Sequence, residues 1–412
     1  MSFAALSGWT REQKSVVLAT FLGWTLDAFD FFLLVFVLKD IAQEFGTEIS
    51  NVTVAILLTL AMRPLGAYLF GRAADRYGRR PTLMIDVLLY SLLAFASGFA
   101  PSLTALLVLR ALFGIAMGGE WGVGASLTME TVPPQSRGFV SGVLQAGYPT
   151  GYLLASVVYA LLYPLIGWRG MFMLGVLPAL LIFYIRRRVP ESPSWAVSTS
   201  AESGTLAVLK ANWRLGLYAI VLMTAFNFLS HGTQDLYPTF LQIQHQLSPH
   251  AVGIIAIVYN IGAIAGGIMC GSLSERMGRR RTIVIAAILS LALVPLWVMP
   301  TNPALLGVGA FLMQFVVQGA WGVIPVHLNE LSPDEARGTF PGLVYQLGNL
   351  FASVNATMQA GIAAHYGNNY GLALALVAVT AAIVIAVLTA MGTEAKGITF
   401  GARERRALGS AN

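Results

Sequence analysis

Apolar runs of about 20 residues, the length that crosses a hydrocarbon core of roughly 30 Å, recur along this whole chain. Twelve spans are predicted, at 15–38, 51–71, 82–100, 104–129, 138–162, 167–186, 216–240, 250–274, 282–299, 303–328, 338–364 and 370–391. Only 11% of the 412 residues are charged while 56% are hydrophobic. That is too little charge to coat a soluble globule of this size, so lipid serves as the solvent. In hydrocarbon each backbone amide needs an internal partner, and the runs lack the two-residue alternation of barrel strands, so the spans are helices. The expected fold class is all-α and polytopic.

The remaining composition bounds fewer things. The opening MSFAALSGWTREQK does not pair a charged region with a short apolar core and a cleavage site, so no leader is expected to be removed. The single cysteine, Cys270, excludes an intramolecular disulfide and reads as a small core residue. The net charge of +6 is explained by topology rather than by nucleic acid. Of the 25 Lys and Arg, 21 lie at the termini or in even-numbered loops, and only Lys39 and Arg169 lie in odd-numbered loops. Basic loops stay cytoplasmic, so both termini are expected inside a cell membrane.

Repeats define architecture, and this chain carries one at an offset of 200. GRAADRYGRRPT (71–82) matches GSLSERMGRRRT (271–282), pairing Asp75 with Glu275 and Gly78 with Gly278. The same offset pairs Trp121-Gly122-Val123 with Trp321-Gly322-Val323, and Glu130 and Arg137-Gly138 with Glu330 and Arg337-Gly338. Six helices therefore repeat in one orientation, the parallel-repeat plan of a two-bundle transporter. The expected organisation is two pseudo-symmetric six-helix bundles, 1–188 and 214–412, joined by a cytoplasmic linker at 189–213, where RRRVPESPSWAVSTSAESGTLAVLK turns polar.

Over essentially its full length the chain resembles a major facilitator superfamily transporter. GRAADRYGRR resembles that superfamily's signature loop between spans 2 and 3, Arg110-Ala-Leu-Phe-Gly114 its span 4 motif, and Pro190-Glu191-Ser192-Pro193 its span 6 exit. Acids and arginines at the cytoplasmic helix ends can pair with the other bundle in one state and release in the other. Asp75, Arg79, Arg137, Glu275 and Arg337 are thus candidates for a conformational latch.

A charge at the bilayer centre costs a few kcal/mol or more, so each ionisable group at membrane depth is a functional candidate. Those groups are Asp27 and Asp30 in span 1, Arg63 in span 2, Arg110 and Glu120 in span 4, and His231 and Asp235 in span 7. Four acids face two fixed arginines, which calls for at least one exchangeable proton unless the site stays anionic. At about 100° per residue Asn227, Ser230, His231, Gln234 and Asp235 share an arc of about 140°, a polar stripe turned toward a cavity. Arg63 lies too deep to snorkel, and its planar fork suits a carboxylate. Arg110 shares its helix with Gly114, Gly118, Gly119, Gly122 and Gly124, a face made for close helix approach. His245, His250, His327 and His365 read as solvated. His231 and Asp235 complete no metal shell and stand beside no nucleophile, which argues against an enzyme and leaves a non-transporting anion receptor as the reading from another class.

A closer resemblance lies in span 7. Asn227-x-x-Ser230-His231-x-Thr233-Gln234-Asp235-x-x-x-Thr239 matches the N-x-x-[S/T]-H-x-[S/T]-Q-D-x-x-x-T signature of lactate/pyruvate:proton permeases, in the sialate:proton symporter branch, and GWTLDAFDFF resembles that branch's span 1. The resemblance implies proton-coupled symport of a short monocarboxylate, with no cofactor beyond the proton gradient and with action as a monomer. It implies substrate contacts from Arg63, Asn227, Ser230, His231, Gln234, Gln346 and Tyr148, and proton coupling through Asp27, Asp30, Glu120, Asp235 and Arg110. A larger acid, sialate or an aromatic carboxylate, is the alternative suggested by Trp24, Phe29, Phe31, Tyr148 and Tyr345.

Overall fold

The structure, a computed structural model, describes residues 8–197, 205–398 and 400. Residues 198–204 of the expected linker and the basic residues Arg403, Arg405 and Arg406 lie outside the described residues. Every regular element among the described residues is helical, as the run length demands. The first half comprises α1 (Arg11–Phe36), α2 (Leu38–Glu44), α3 (Ile49–Tyr77), α4 (Arg79–Ser97), α5 (Leu103–Thr131), α6 (Arg137–Gln145), α7 (Gly147–Leu174) and α8 (Leu180–Arg188). Two short helices follow, α9 (Pro193–Val197) and α10 (Thr205–Ala211). The second half comprises α11 (Trp213–Gln234), α12 (Tyr237–Ile243), α13 (Pro249–Met277), α14 (Arg279–Val298), α15 (Pro303–Trp321), α16 (Ile324–Leu331), α17 (Phe340–Ala352), α18 (Asn355–His365) and α19 (Tyr370–Met391).

Among the described residues nine helices are long and apolar enough to cross a bilayer, or ten if one bent pair counts as a span. The difference from twelve lies in expected spans 5, 6 and 11, which are helical but broken. Span 5 breaks at Ala146, between α6 and α7, and α7 runs on past its end to Gly167, which leaves the helical region at φ 60°. Span 6 is interrupted by a 3-10 turn at Leu177–Ala179 that contains Pro178. Span 11 divides into α17 and α18 at Ser353 and Val354.

The repeat reappears in the packing. A Cβ added to Gly66 would collide with the Ile115 carbonyl where α3 meets α5, and one added to Gly266 would collide with the Phe315 carbonyl where α13 meets α15. Gly78 and Gly278 turn the copied loops at φ 107° and 95°, a region open to glycine at little cost. Each then caps a helix with an acid from elsewhere. Glu191 accepts from the amides of Arg79 and Arg80 at the start of α4, and Glu394 does the same for Arg279 and Arg280 at α14. A carboxylate there satisfies orphan donors and complements the helix dipole.

On the opposite side, Arg169 departs from the basic-loop pattern because it is a staple. It donates to the carbonyls of Gly98 and Ala100 and to Glu44. Arg169 hydrogen bonding, with Trp168 donating as well, holds the Glu44 carboxyl below its ordinary range against the opposing effect of desolvation. The two halves meet where α6 and α7 pack on α13, and where α3 and α5 pack on α17.

The tight α3–α5 crossing gives a direct test. A Cβ on Gly118 would meet the backbone of Arg63, so Gly118→Val should cost about 1–3 kcal/mol through overpacking. The expected result is a lower thermal midpoint of the purified protein, measured by intrinsic tryptophan fluorescence.

Candidate functional site

A cavity of about 400 Å³ opens between the halves. Its walls reach from mid-membrane, at Gln145 and Trp321, toward the side remote from the copied loops, at Val35 near the end of α1, Ile56 near the start of α3 and Pro238 on α12. Seven of the residues expected at the site line it: Arg63, Tyr148, Asn227, Ser230, His231, Gln234 and Asp235. The helical arc drawn for span 7 is therefore the face that meets open space.

Neighbours from α15 and α17 fix the donor directions of that face. Gln318 donates to the Ser230 hydroxyl at 2.9 Å, and Gln234 donates to Gln314 at 2.8 Å while Gln314 donates to the Thr233 hydroxyl at 2.9 Å. Asn227 spends a donor on the Met223 carbonyl of its own helix. His231 Nδ1 and Asp235 Oδ1 lie 3.2 Å apart, each about a third exposed, with Asn349 also hydrogen-bonded to the imidazole. Aromatic rings form the floor: Trp121 and its repeat mate Trp321 both pack on Tyr345, at 4.7 and 5.5 Å between centroids, and Trp24 stacks on Tyr148.

Gln346 does not reach the cavity. It is fully buried on α17, and the residues of that helix that line the space are Tyr345, Asn349 and Ala352. A one-residue step turns a helical side chain by about 100°, and a span with polar residues on several faces does not reveal its rotation. His327 likewise differs from its solvated reading, being fully buried on α16, whereas His250 and His365 are exposed and His245 is half-buried.

The acids of the first half stand behind the cavity wall rather than in it. Asp27, Asp30 and Glu120 are buried and have no hydrogen-bond partner among the described residues. Arg63 joins the two regions: it lines the cavity, and its Nη2 lies 3.9 Å from Asp27 Oδ2. Arg110 donates to Ser97 at 2.7 Å, lies over the rings of Phe113 and Phe172, and is the cation nearest Asp30. Glu120 occupies the space left by the absent side chain of Gly23. One buried acid escaped the sequence reading. Asp86 on α4 is fully buried and unpartnered, and its signal was the stripe Thr82, Asp86, Tyr90, Ser97 on the inner face of that helix.

The side of the copied loops is closed, and the acids expected in a latch cross the seam to backbone amides. Asp75 accepts from the Gly338 amide at 2.7 Å and the Thr339 hydroxyl at 2.6 Å, and Glu275 accepts from the Gly138 amide. Arg79 pairs with Asp75 at 2.9 Å and Glu130 at 3.1 Å, and Arg279 copies this with Glu275 and Glu330. Arg137 and Arg337 both lie over the ring of Phe400, at 3.6 and 3.9 Å, and Arg337 approaches Glu130 at 3.9 Å. Between these contacts the seam is backbone against backbone: Gly122 meets Gly342, Gly138 meets Gly271 and Gly142 meets Gly267. No cluster of three or more His, Cys, Asp or Glu among the described residues is placed to hold a metal ion.

Comparison with known proteins was decisive at the level of family. The family described as Major Facilitator Superfamily matches once over each half, at residues 20–248 and 220–410. The chain belongs to that superfamily. It is a multi-pass membrane transporter and not an enzyme. Its similar relatives include the carboxylic acid transporter protein homolog of Saccharomyces cerevisiae, 31% identical over 84% of this chain and 61% of that protein. The chain thus spans less than two thirds of the yeast protein's length. The sialic acid transporter NanX of Escherichia coli is 27% identical over 86% of this chain and 88% of its own. Among solved structures, the proton:xylose symporter XylE bound to 6-bromo-6-deoxy-D-glucose has the same fold, with a TM-score of 0.77 at 18% identity, covering 96% of this chain and 99% of that one.

The closed seam is testable. Ser141 is fully buried in it and accepts from the Val326 amide across the halves. In a Cys270→Ser background, a Ser141→Cys reporter should react slowly with a polar maleimide. Adding Asp75→Ala removes the Gly338 and Thr339 contacts, and labelling should then accelerate.

Proposed function

We propose that this transporter is a proton-coupled symporter of small carboxylates, short monocarboxylates such as lactate and pyruvate foremost, acting as a monomer by alternating access across the cytoplasmic membrane. The observation that carries this is the position of Arg63, one guanidinium with the cavity on one side and Asp27 3.9 Å away on the other. A buried charge must be compensated. While the cavity holds no anion, Asp27 balances Arg63. When a substrate carboxylate takes the guanidinium fork, Asp27 loses its counter-charge in a low-dielectric wall and takes up a proton. Anion and proton therefore enter together, and neither alone leaves the site balanced.

Asn227, Ser230, Gln234 and His231 would meet the hydroxyl or keto oxygen beside the carboxylate, since all four line the cavity. His231 serves as a hydrogen-bonding group, and Asp235 is the second proton-handling acid. Rocking of bundle 1–188 against bundle 214–412 would break the Asp75 and Glu275 crossings and open the opposite face, with the basic loops and both termini inside.

A larger carboxylate is the second reading. A 400 Å³ cavity walled by Tyr148, Trp321 and Tyr345 exceeds the needs of a three-carbon acid, and the similar NanX carries sialic acid in its name.

Proteoliposomes with an imposed inward proton gradient should accumulate L-lactate, and uptake indifferent to that gradient would end the coupling reading. Arg63→Lys keeps the charge and loses the fork, so affinity should fall by about 10- to 100-fold, the worth of roughly 1.5–3 kcal/mol of charged hydrogen bonding. Asp27→Asn should retain exchange across the membrane while losing gradient-driven accumulation. A thermal-shift series with lactate, pyruvate, benzoate and sialate separates the two substrate sizes.

A further inference from the structure

Asp86 has no part in the cavity, the seam or the helix caps, yet it is one of the most costly residues in the fold. It is 0% exposed, and neither carboxylate oxygen has a hydrogen-bond partner among the described residues. An ionised carboxylate in that state is strongly destabilising. The groups that face it are Glu120 from α5 and Asp27 from α1, with Tyr90 one turn along its own helix. Asp30 from α1 and Arg110 from α5 lie further along α4, Arg63 from α3 lies beyond Asp27, and Tyr184 of α8 borders the same apolar cluster. Asp27 and Arg63 balance one another, as do Asp30 and Arg110. Glu120 shares Arg63 with Asp27, and Asp86 faces no cation among the described residues, so Glu120 and Asp86 together are short of counter-charge.

A second observation marks this pair as a site. The Tyr90 hydroxyl is fully buried and has no partner among the described residues, and its electrostatic neighbours are Glu120, Asp27, Asp30 and Asp86. Among the described residues no three of the acids converge closely enough to hold a metal ion, which leaves the proton as the cation of the right size. The three acids also descend. At a rise of about 1.5 Å per residue, Asp27 lies roughly 24 Å along α1 from its start on the copied-loop side, Glu120 roughly 16 Å from the end of α5 on that side, and Asp86 roughly 10 Å from the start of α4. Below Asp86 the Arg79–Glu130 ion pair covers the helix end.

We propose that Asp86, assisted by the Tyr90 hydroxyl, is a proton-binding site on which the coupled proton rests after leaving Asp27. The proposal rests on the proton-coupled reading and extends it to a residue outside the cavity. In the transfer, the acid O–H of Glu120 passes its proton to the Asp86 carboxylate as the acid O–H of Asp27 passes its own to Glu120, so that Glu120 stays a neutral acid throughout. Asp27 is left ionised opposite Arg63, and Asp86 becomes the neutral acid. No other bond changes. The Arg79–Glu130 pair keeps Asp86 from exchanging freely with the copied-loop side while the seam is closed, so the stored proton leaves only when that seam parts.

Two measurements on the full-length protein in lipid decide it. Infrared spectra of the wild type and Asp86→Asn, in water and deuterium oxide, report the carbonyl stretch of protonated carboxylic acids. The variant should lose one such band, and an unchanged set of bands overturns the proposal. Asparagine mimics the protonated acid, so the variant should also keep the wild-type thermal midpoint. A large drop would mean that the fold holds the ionised form, which again overturns it. In proteoliposomes Asp86→Asn should retain L-lactate counterflow and lose accumulation driven by a proton gradient, while Asp86→Glu restores accumulation. Wild-type accumulation in Asp86→Asn refutes the role of Asp86. If the wild type itself shows no gradient-driven uptake, the symport reading fails instead, and the infrared bands still decide whether Asp86 holds a proton.

Discussion

A single guanidinium sets the electrostatic terms for this protein. Arg63 stands on α3 at membrane depth, with Gly118 of α5 packed against its backbone. Asp27 lies 3.9 Å behind it, and the cavity opens in front. The other buried acids of the amino-terminal half lie around that pair. Asp30 is matched to Arg110, Glu120 is seated against the bare backbone of Gly23, and Asp86 lies deeper still. The carboxyl-terminal half brings no fixed cation to the cavity and supplies amides, hydroxyls and an imidazole instead. The second half also brings the carboxylate of Asp235, so the two repeats present unlike chemistry to one space.

Much of this was legible in the sequence because its causes are local or periodic. The length of the apolar runs dictated helices, and the residues that the offset of 200 paired, Gly78 with Gly278 and Glu130 with Glu330, occupy matching turns and matching ion pairs, although the partners of Arg79 and Arg279 within their own halves were not read from it. The polar arc of span 7 was correct in its facing because one side of that helix is apolar. What stayed hidden depends on rotation or on distance along the chain. Gln346 lies on a span with polar residues on more than one face, so periodicity could not orient it. Glu394 copies Glu191 at an offset of 203, outside the register of the other matches. Asp86 follows Arg79 by seven residues and reads as part of a helix end, although the packing of α4 against α5 buries it completely.

The breaks in spans 5, 6 and 11 show the same division between local and tertiary causes. Pro178 announces the interruption of span 6. The parting of α17 from α18 has no proline at the break, and it falls beside Ala352 and Ser353, which line the cavity. Irregular backbone at membrane depth is tolerated where it borders such a space rather than lipid.

The glycine pairs along the closed seam carry a consequence for speed. Where Gly122 meets Gly342 and Gly142 meets Gly267, there are no interlocked side chains to withdraw, reorient and find one another again. On the proposed rocking, parting this face would exchange the Asp75 and Glu275 contacts and the Arg337–Glu130 approach for water, with nothing to repack at the glycines. Such a joint would close again in the same register without waiting on side-chain repacking at those points.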